Sequence, residues 1–218
     1  MRYFKEINLP LPVNEQVLHE FLEDKKTGNR TFNNLKYVYF RTDLRDKLNP
    51  ELVELFDSLN IFPSVMQIQG HVGNKSFCRD LHLVHVDMIH TGESIVDVPF
   101  AINWELTDTD PTLYWWDTKD SIRINPIVKD PALLENEWFI HGLGAHYGER
   151  LKKVSNPADL GYDLLAEYRP IKNKAFLLNT TIPHSAVYPP GSENRVCFSL
   201  RFPIDQIPSW EIASNIFK

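Results

Sequence analysis

His85 and Asp87 lie two residues apart in the apolar run Leu-His-Leu-Val-His-Val-Asp at 81–87, and His184 lies far downstream in a second such run, 176–190. Two imidazoles and one carboxylate, divided between two strand-like segments, are the donor set of a facial triad. Such a triad holds non-haem Fe(II) from one side and leaves coordination positions open. Residues two apart on a strand project from one face, so His85 and Asp87 point together while Val84, Val86 and Met88 point away. His82 has the opposite parity and reads as structural. An isolated H-x-D triplet is weak evidence for a metal; its joint occurrence with a later Pro-His-Ser and a downstream arginine is what carries the reading.

That arginine is Arg195, eleven positions after His184 and across a turn of sequence Tyr-Pro-Pro-Gly-Ser-Glu-Asn. A guanidinium keeps its charge when buried and grips a carboxylate through two parallel hydrogen bonds, so Arg195 suits an acidic co-substrate. Arg201 shares its strand parity and competes for the role. Asn103, in Ala-Ile-Asn-Trp-Glu-Leu, offers an amide to a co-substrate carboxylate or a water. Trp115 and Trp116 alternate to opposite faces of one strand, so one of the pair is available to line a substrate pocket.

The bulk properties narrow the classes. A chain of 218 residues with 43% hydrophobic content fits one domain, 1–218, with a substantial core. A net charge of −6 argues against a general nucleic-acid binder, which carries a basic footprint. Two cysteines, Cys78 and Cys197, make no disulfide framework. The first residues, charged early and without a long apolar stretch, do not resemble a secretory leader, and no run approaches a membrane span; the expected compartment is the cytoplasm. There is no G-x-S-x-G element and no Cys/His zinc spacing.

The elements that must position the donors are mainly β. The spacing predicts helices over 14–25 and 49–59, the second with Asn49 as cap and Pro50 in the first turn, and a strand between them. From Pro63 onward, segments rich in β-branched and aromatic residues give seven or eight strands. Antiparallel closure into a jelly roll is the expected architecture, with residues 1–62 as a flank on its N-terminal side. The stretch 122–165 patterns poorly; it reads as an insertion, with a short helix within 157–168, and its glycines Gly142, Gly144 and Gly148 suit a lid over the site.

The order H-x-D, Ala-Ile-Asn-Trp-Glu-Leu, Pro-His-Ser and a downstream arginine, over roughly residues 71–203, resembles the Fe(II)/2-oxoglutarate-dependent dioxygenase superfamily. The nearest flavour is the aspartyl/asparaginyl hydroxylase-like and small phage or bacterial members. The resemblance implies a double-stranded β-helix (jelly-roll, cupin-like) fold. It implies Fe(II) on His85, Asp87 and His184, and 2-oxoglutarate anchored by Arg195. Many members carry R-x-S; here the triplet is Arg195-Val196-Cys197, so the serine is either missing or has Cys197 or Ser199 where it would lie. Retention of Asp87 implies hydroxylation rather than halogenation, with O2 as oxidant and a small molecule, amino acid or peptide as substrate. The rivals are a non-catalytic cupin-like binding protein, and a metal-dependent isomerase or dioxygenase that has no need of Arg195.

Overall fold

A computed structural model describes residues 2–13, 16–17, 30–32, 35–40, 44–71, 84–90, 95–119, 138–143, 156–189, 195–203 and 205–217. Thirteen strands occur among them: β1 Phe4–Ile7, β2 Arg30–Phe32, β3 Leu35–Phe40, β4 Val65–His71, β5 His85–His90, β6 Ile95–Asp97, β7 Ala101–Glu105, β8 Thr112–Asp117, β9 Trp138–Leu143, β10 Asp163–Tyr168, β11 Ala175–Leu178, β12 His184–Val187 and β13 Val196–Arg201. They form two antiparallel sheets. One has the order β1-β11-β7-β13-β4-β3-β2, and the other β10-β8-β12-β5-β6, with β9 also paired to β5. The chain passes between the sheets from β4 to β5, β6 to β7, β7 to β8, β10 to β11, β11 to β12 and β12 to β13. That alternation sets β11-β7-β13-β4 against β10-β8-β12-β5 as a jelly roll.

Strand alternation divides each buried strand between two cores. On β13, Phe198 and Leu200 join Met66, Ile68, Ile102 and Trp104 on the outer face of the first sheet, under Leu52 and Phe56 of the helix Pro50–Ser58 and Trp210 of the helix Trp210–Ile216. Each fully buried side chain of this kind contributes about 1.5–3 kcal/mol. The inner face, toward the second sheet, is apolar at one end, where Ala101, Phe176 and Leu178 pack on Leu113, Trp115 and Tyr168. Its other positions include Gln67, Asn103, Glu105, Arg195, Cys197, Ser199 and Arg201, all buried. A sheet buried on both faces yet polar along one inner stripe is the scaffold of the site.

The helix predicted from Asn49 forms as expected. Asn49 accepts a hydrogen bond from the Glu51 amide at 3.0 Å, and Leu52 and Phe56 are fully buried. Most of the helix predicted over 14–25 lies outside the described residues, as do His82, Cys78 and much of 122–165. Inside that stretch, β9 pairs with β5 along its length. The segment read as a short helix is instead a single 3-10 turn, Pro157–Leu160, followed by strand β10. The turn ends at Gly161 with φ 78, a left-handed conformation that glycine adopts without strain. β10 pairs with β8 at the sheet's edge, and the pairing overrides the helical preference of its Leu, Ala and Glu residues. Among the described residues no helix is long and apolar enough to cross a membrane.

Candidate metal centre

β5 projects His85 and Asp87 from one face, with His85 Nε2 3.6 Å from Asp87 Oδ1. β12 brings in His184, which pairs with His85 on one side and with Trp115 of β8 on the other. The two imidazole centroids lie 4.4 Å apart. One donor atom from each of His85, Asp87 and His184 falls within 4.8 Å of the others. Ligands on adjacent octahedral positions of an ion with bonds of about 2.0–2.2 Å lie about 3 Å apart, so the set is assembled but slightly open. Backbone bonds hold the two segments in register. The Asp87 amide donates to the Thr180 carbonyl at 3.0 Å, the Val98 amide donates to the Asp87 carbonyl at 3.1 Å, and the Trp116 amide donates to the Pro183 carbonyl at 2.8 Å. His184 Nδ1 lies 2.9 Å from the Ile182 carbonyl. A carbonyl only accepts, so Nδ1 carries the proton and Nε2 keeps the lone pair that a metal needs.

Behind Asp87 runs a buried polar chain. Arg201 donates from Nη2 to Asp87 Oδ2 at 2.8 Å and from Nη1 to Ser199 Oγ at 2.6 Å. The Ser199 hydroxyl donates to Asn103 Oδ1, its cross-strand partner. Asn103 and Ser199 are thus brought to the site as a pair that supports Arg201.

Arg195 lies at the other end of β13 on the same face. Its Nε donates to Glu105 Oε2 at 3.0 Å, and its guanidinium stacks over the Tyr188 ring at 4.3 Å. Glu105 Oε1 accepts from the hydroxyls of Thr107 at 3.1 Å and Thr109 at 3.4 Å. Burial pushes the Glu105 carboxyl upward against the pull of Arg195 and the two threonines. Burial also works against the Arg195 charge, but Tyr188, Glu105 and Cys197 outweigh it and the guanidinium stays firmly protonated. The two groups are an ion pair. Arg195 Nη1, although buried, has no hydrogen-bond partner among the described residues. Cys197, between Arg195 and Ser199 on the inner face, is pushed up to about 11 by burial and stays a neutral thiol at ordinary pH.

Of the residues proposed for the substrate pocket, Trp115 shares the face of His184. It is fully buried, with its indole N–H on the Asn179 carbonyl at 3.1 Å. Trp116 faces the other way and donates to Ser185 Oγ at 2.9 Å. Glu105 escaped the sequence reading, although it shares strand parity with Asn103, which was the available signal. Arg201 was seen only as a competitor of Arg195; its contact with Asp87 depends on how the two sheets face each other.

No protein-family model and no curated protein matches the chain. Among solved structures it is similar to SnoK, a non-heme alpha-ketoglutarate-dependent carbocyclase from nogalamycin biosynthesis, at 12% identity over 92% of this chain and 79% of that one, TM-score 0.47. It is also similar to HygX from Streptomyces hygroscopicus, solved with nickel, 2-oxoglutarate and hygromycin B bound, at 11% identity over 92% and 82%, TM-score 0.42. The strand order itself defines the class: a jelly-roll protein with a two-histidine, one-carboxylate cluster between its sheets.

Proposed function

We propose that the protein is a non-haem Fe(II)- and 2-oxoglutarate-dependent dioxygenase that hydroxylates a small molecule, or an amino-acid or peptide side chain. The observation that carries this reading is the convergence of His85, Asp87 and His184 to within 4.8 Å. This donor set fits iron, since two imidazoles and one carboxylate are the ligands of such oxygenases. The Nη1 of Arg195, which has no hydrogen-bond partner among the described residues, fits the co-substrate, since a buried donor of this kind calls for an acceptor and a carboxylate supplies one. When bound, iron and 2-oxoglutarate supply the oxidising chemistry with O2. The chain holds and orients them and keeps water out. His85, Asp87 and His184 would hold the metal, and Arg195 would fix the far carboxylate while Glu105 holds its Nε edge. Asn103 and Ser199 act at the same inner stripe.

The rival reading is a non-catalytic jelly-roll binding protein that holds a metal or ligand and turns nothing over. The deciding experiment is release of succinate from 2-oxoglutarate by the Fe(II)-loaded protein with ascorbate, over a panel of amino acids, peptides and small metabolites. Turnover that is lost in His184→Ala supports the oxygenase. Metal binding without succinate from any substrate, and without uncoupled 2-oxoglutarate decay, supports the binding protein.

A further inference from the structure

We infer that Arg201 is a positioning residue that fixes Asp87 as a one-oxygen metal ligand, and that Ser199 and Asn103 hold Arg201 for this purpose. The inference rests on the metal-centre reading above and adds to it the means by which open coordination positions are kept open.

The two oxygens of Asp87 have different neighbours. Oδ1 lies 3.6 Å from His85 Nε2, on the side of the histidine pair. Oδ2 is taken by Arg201 Nη2 at 2.8 Å. A carboxylate can bind a divalent ion through one oxygen or through both. With two histidines already on the ion, a second carboxylate oxygen would occupy a position that a chelating co-substrate or O2 requires. A charge-assisted hydrogen bond on Oδ2 opposes that swing, since a metal on the same oxygen would draw off the electron density and shift the angle on which the bond depends.

The guanidinium is itself fixed. Arg201 is the last residue of β13 and is buried. Its Nη1 donates to Ser199 Oγ at 2.6 Å, and Ser199 donates in turn to Asn103, directly opposite on β7. The chain Asn103–Ser199–Arg201–Asp87 therefore runs across two strands of the first sheet to the ligand strand of the second. It transmits the position of one sheet to a ligand on the other. The same contact pairs the buried Asp87 carboxylate, which would be costly to bury alone. Metal would arrive at Oδ1, on the side of the histidine pair, while Arg201 keeps Oδ2. Outer-shell groups of this kind orient metal ligands, and their removal typically costs about 10–100-fold in metal affinity or activity.

The test is the visible spectrum of the Co(II)-loaded full chain, whose bands report coordination number and geometry without any turnover. Three variants are compared with wild type: Arg201→Gln, Arg201→Lys, which keeps the charge, and Ser199→Ala, which keeps both ends of the ion pair. Affinity alone would respond to the lost charge, so the band pattern decides. The expected result is Co(II) binding in all four proteins, with bands shifted strongly in Arg201→Gln and in the same direction but less in Arg201→Lys and Ser199→Ala. Addition of 2-oxoglutarate should change the wild-type spectrum and have a weaker effect in Arg201→Gln. Wild-type bands and wild-type response in a folded Arg201→Gln would overturn the inference and leave an ion pair of structural value only. If Arg201→Gln fails to fold, an unshifted spectrum in Ser199→Ala overturns it equally. Failure of the wild-type protein itself to bind Co(II) would instead remove the metal-centre reading, and this inference with it.

Discussion

Arg195 and Glu105 show how far a single residue's role depends on its partner. A lysine at position 195 would keep a cation beside Glu105 but lose the planar fork. Arg195→Lys is therefore expected to weaken 2-oxoglutarate binding about 10–100-fold, the equivalent of one charged hydrogen-bonded contact of about 1.5–3 kcal/mol. Metal affinity should be nearly unchanged. Calorimetric titration of the Zn(II)-loaded protein measures both, and equal 2-oxoglutarate affinity in the variant would take the anchoring role away from Arg195. Arg195→Ala should also destabilise the fold by about 3–5 kcal/mol, because it strands a buried carboxylate. Cys197 gives a second test at this scale. Its pKa rises from an ordinary 9.0 to about 11 on folding. A raised folded value means that the neutral thiol contributes stability fully below pH 9, and that this contribution is lost as pH rises through about 11. Urea unfolding of Cys197→Ala against wild type, at pH 8 and at pH 10.5, should show a flatter alkaline loss in the variant. At residue scale the H-x-D pair was legible because its logic is local, a period of two along one strand. The partners of Arg195 and Arg201 were not, because the arginines share parity and only sheet pairing separates their neighbours.

The strands that carry the inner stripe were readable because both their faces are buried. β7, β11 and β13 are buried along their whole length and predominantly apolar, and such short apolar runs between turn residues have few alternatives to a sheet. β1 and β6 are four and three residues long and fall below what periodicity can resolve. β10 is an edge strand with Leu164 and Leu165 exposed, so it lacks the alternation that marks a half-buried strand. Sheet order was legible only through the family resemblance, since every pairing that makes the jelly roll joins segments distant in sequence. The helix Pro50–Ser58 covers the outer face, away from the donors, and this separates its energetics from the site. Phe56→Ala should cost about 3–5 kcal/mol, and Asn49→Ala about 1 kcal/mol through the lost cap. Both variants should retain wild-type Co(II) affinity while folded. A loss of metal affinity in folded Phe56→Ala would show that the outer core and the inner stripe are coupled.

Across the whole molecule, the buried charged side chains among the described residues are Asp87, Glu105, Arg195 and Arg201, two of each sign. They form two ion pairs, one at each end of β13, so the interior is balanced before any ligand arrives. A divalent cation alone would leave that interior with two uncompensated positive charges, and a dianion alone with two negative ones. Together they restore the balance, and burial magnifies the difference because screening by water is weak there. The prediction is that metal and 2-oxoglutarate stabilise the fold cooperatively. A ligand at a hundred times its dissociation constant adds about 2.7 kcal/mol, which for a chain of this size is roughly 5–10 °C in Tm. Thermal unfolding should therefore be followed with Mn(II) alone, with 2-oxoglutarate alone and with both, at concentrations fixed across the three arms. The rise with both is expected to exceed the sum of the separate rises, and His184→Ala should abolish the excess. Simple additivity in the wild-type protein would show that the two ligands do not share one charge-balanced site, and the co-substrate would then have to be sought away from Arg195 and the inner stripe.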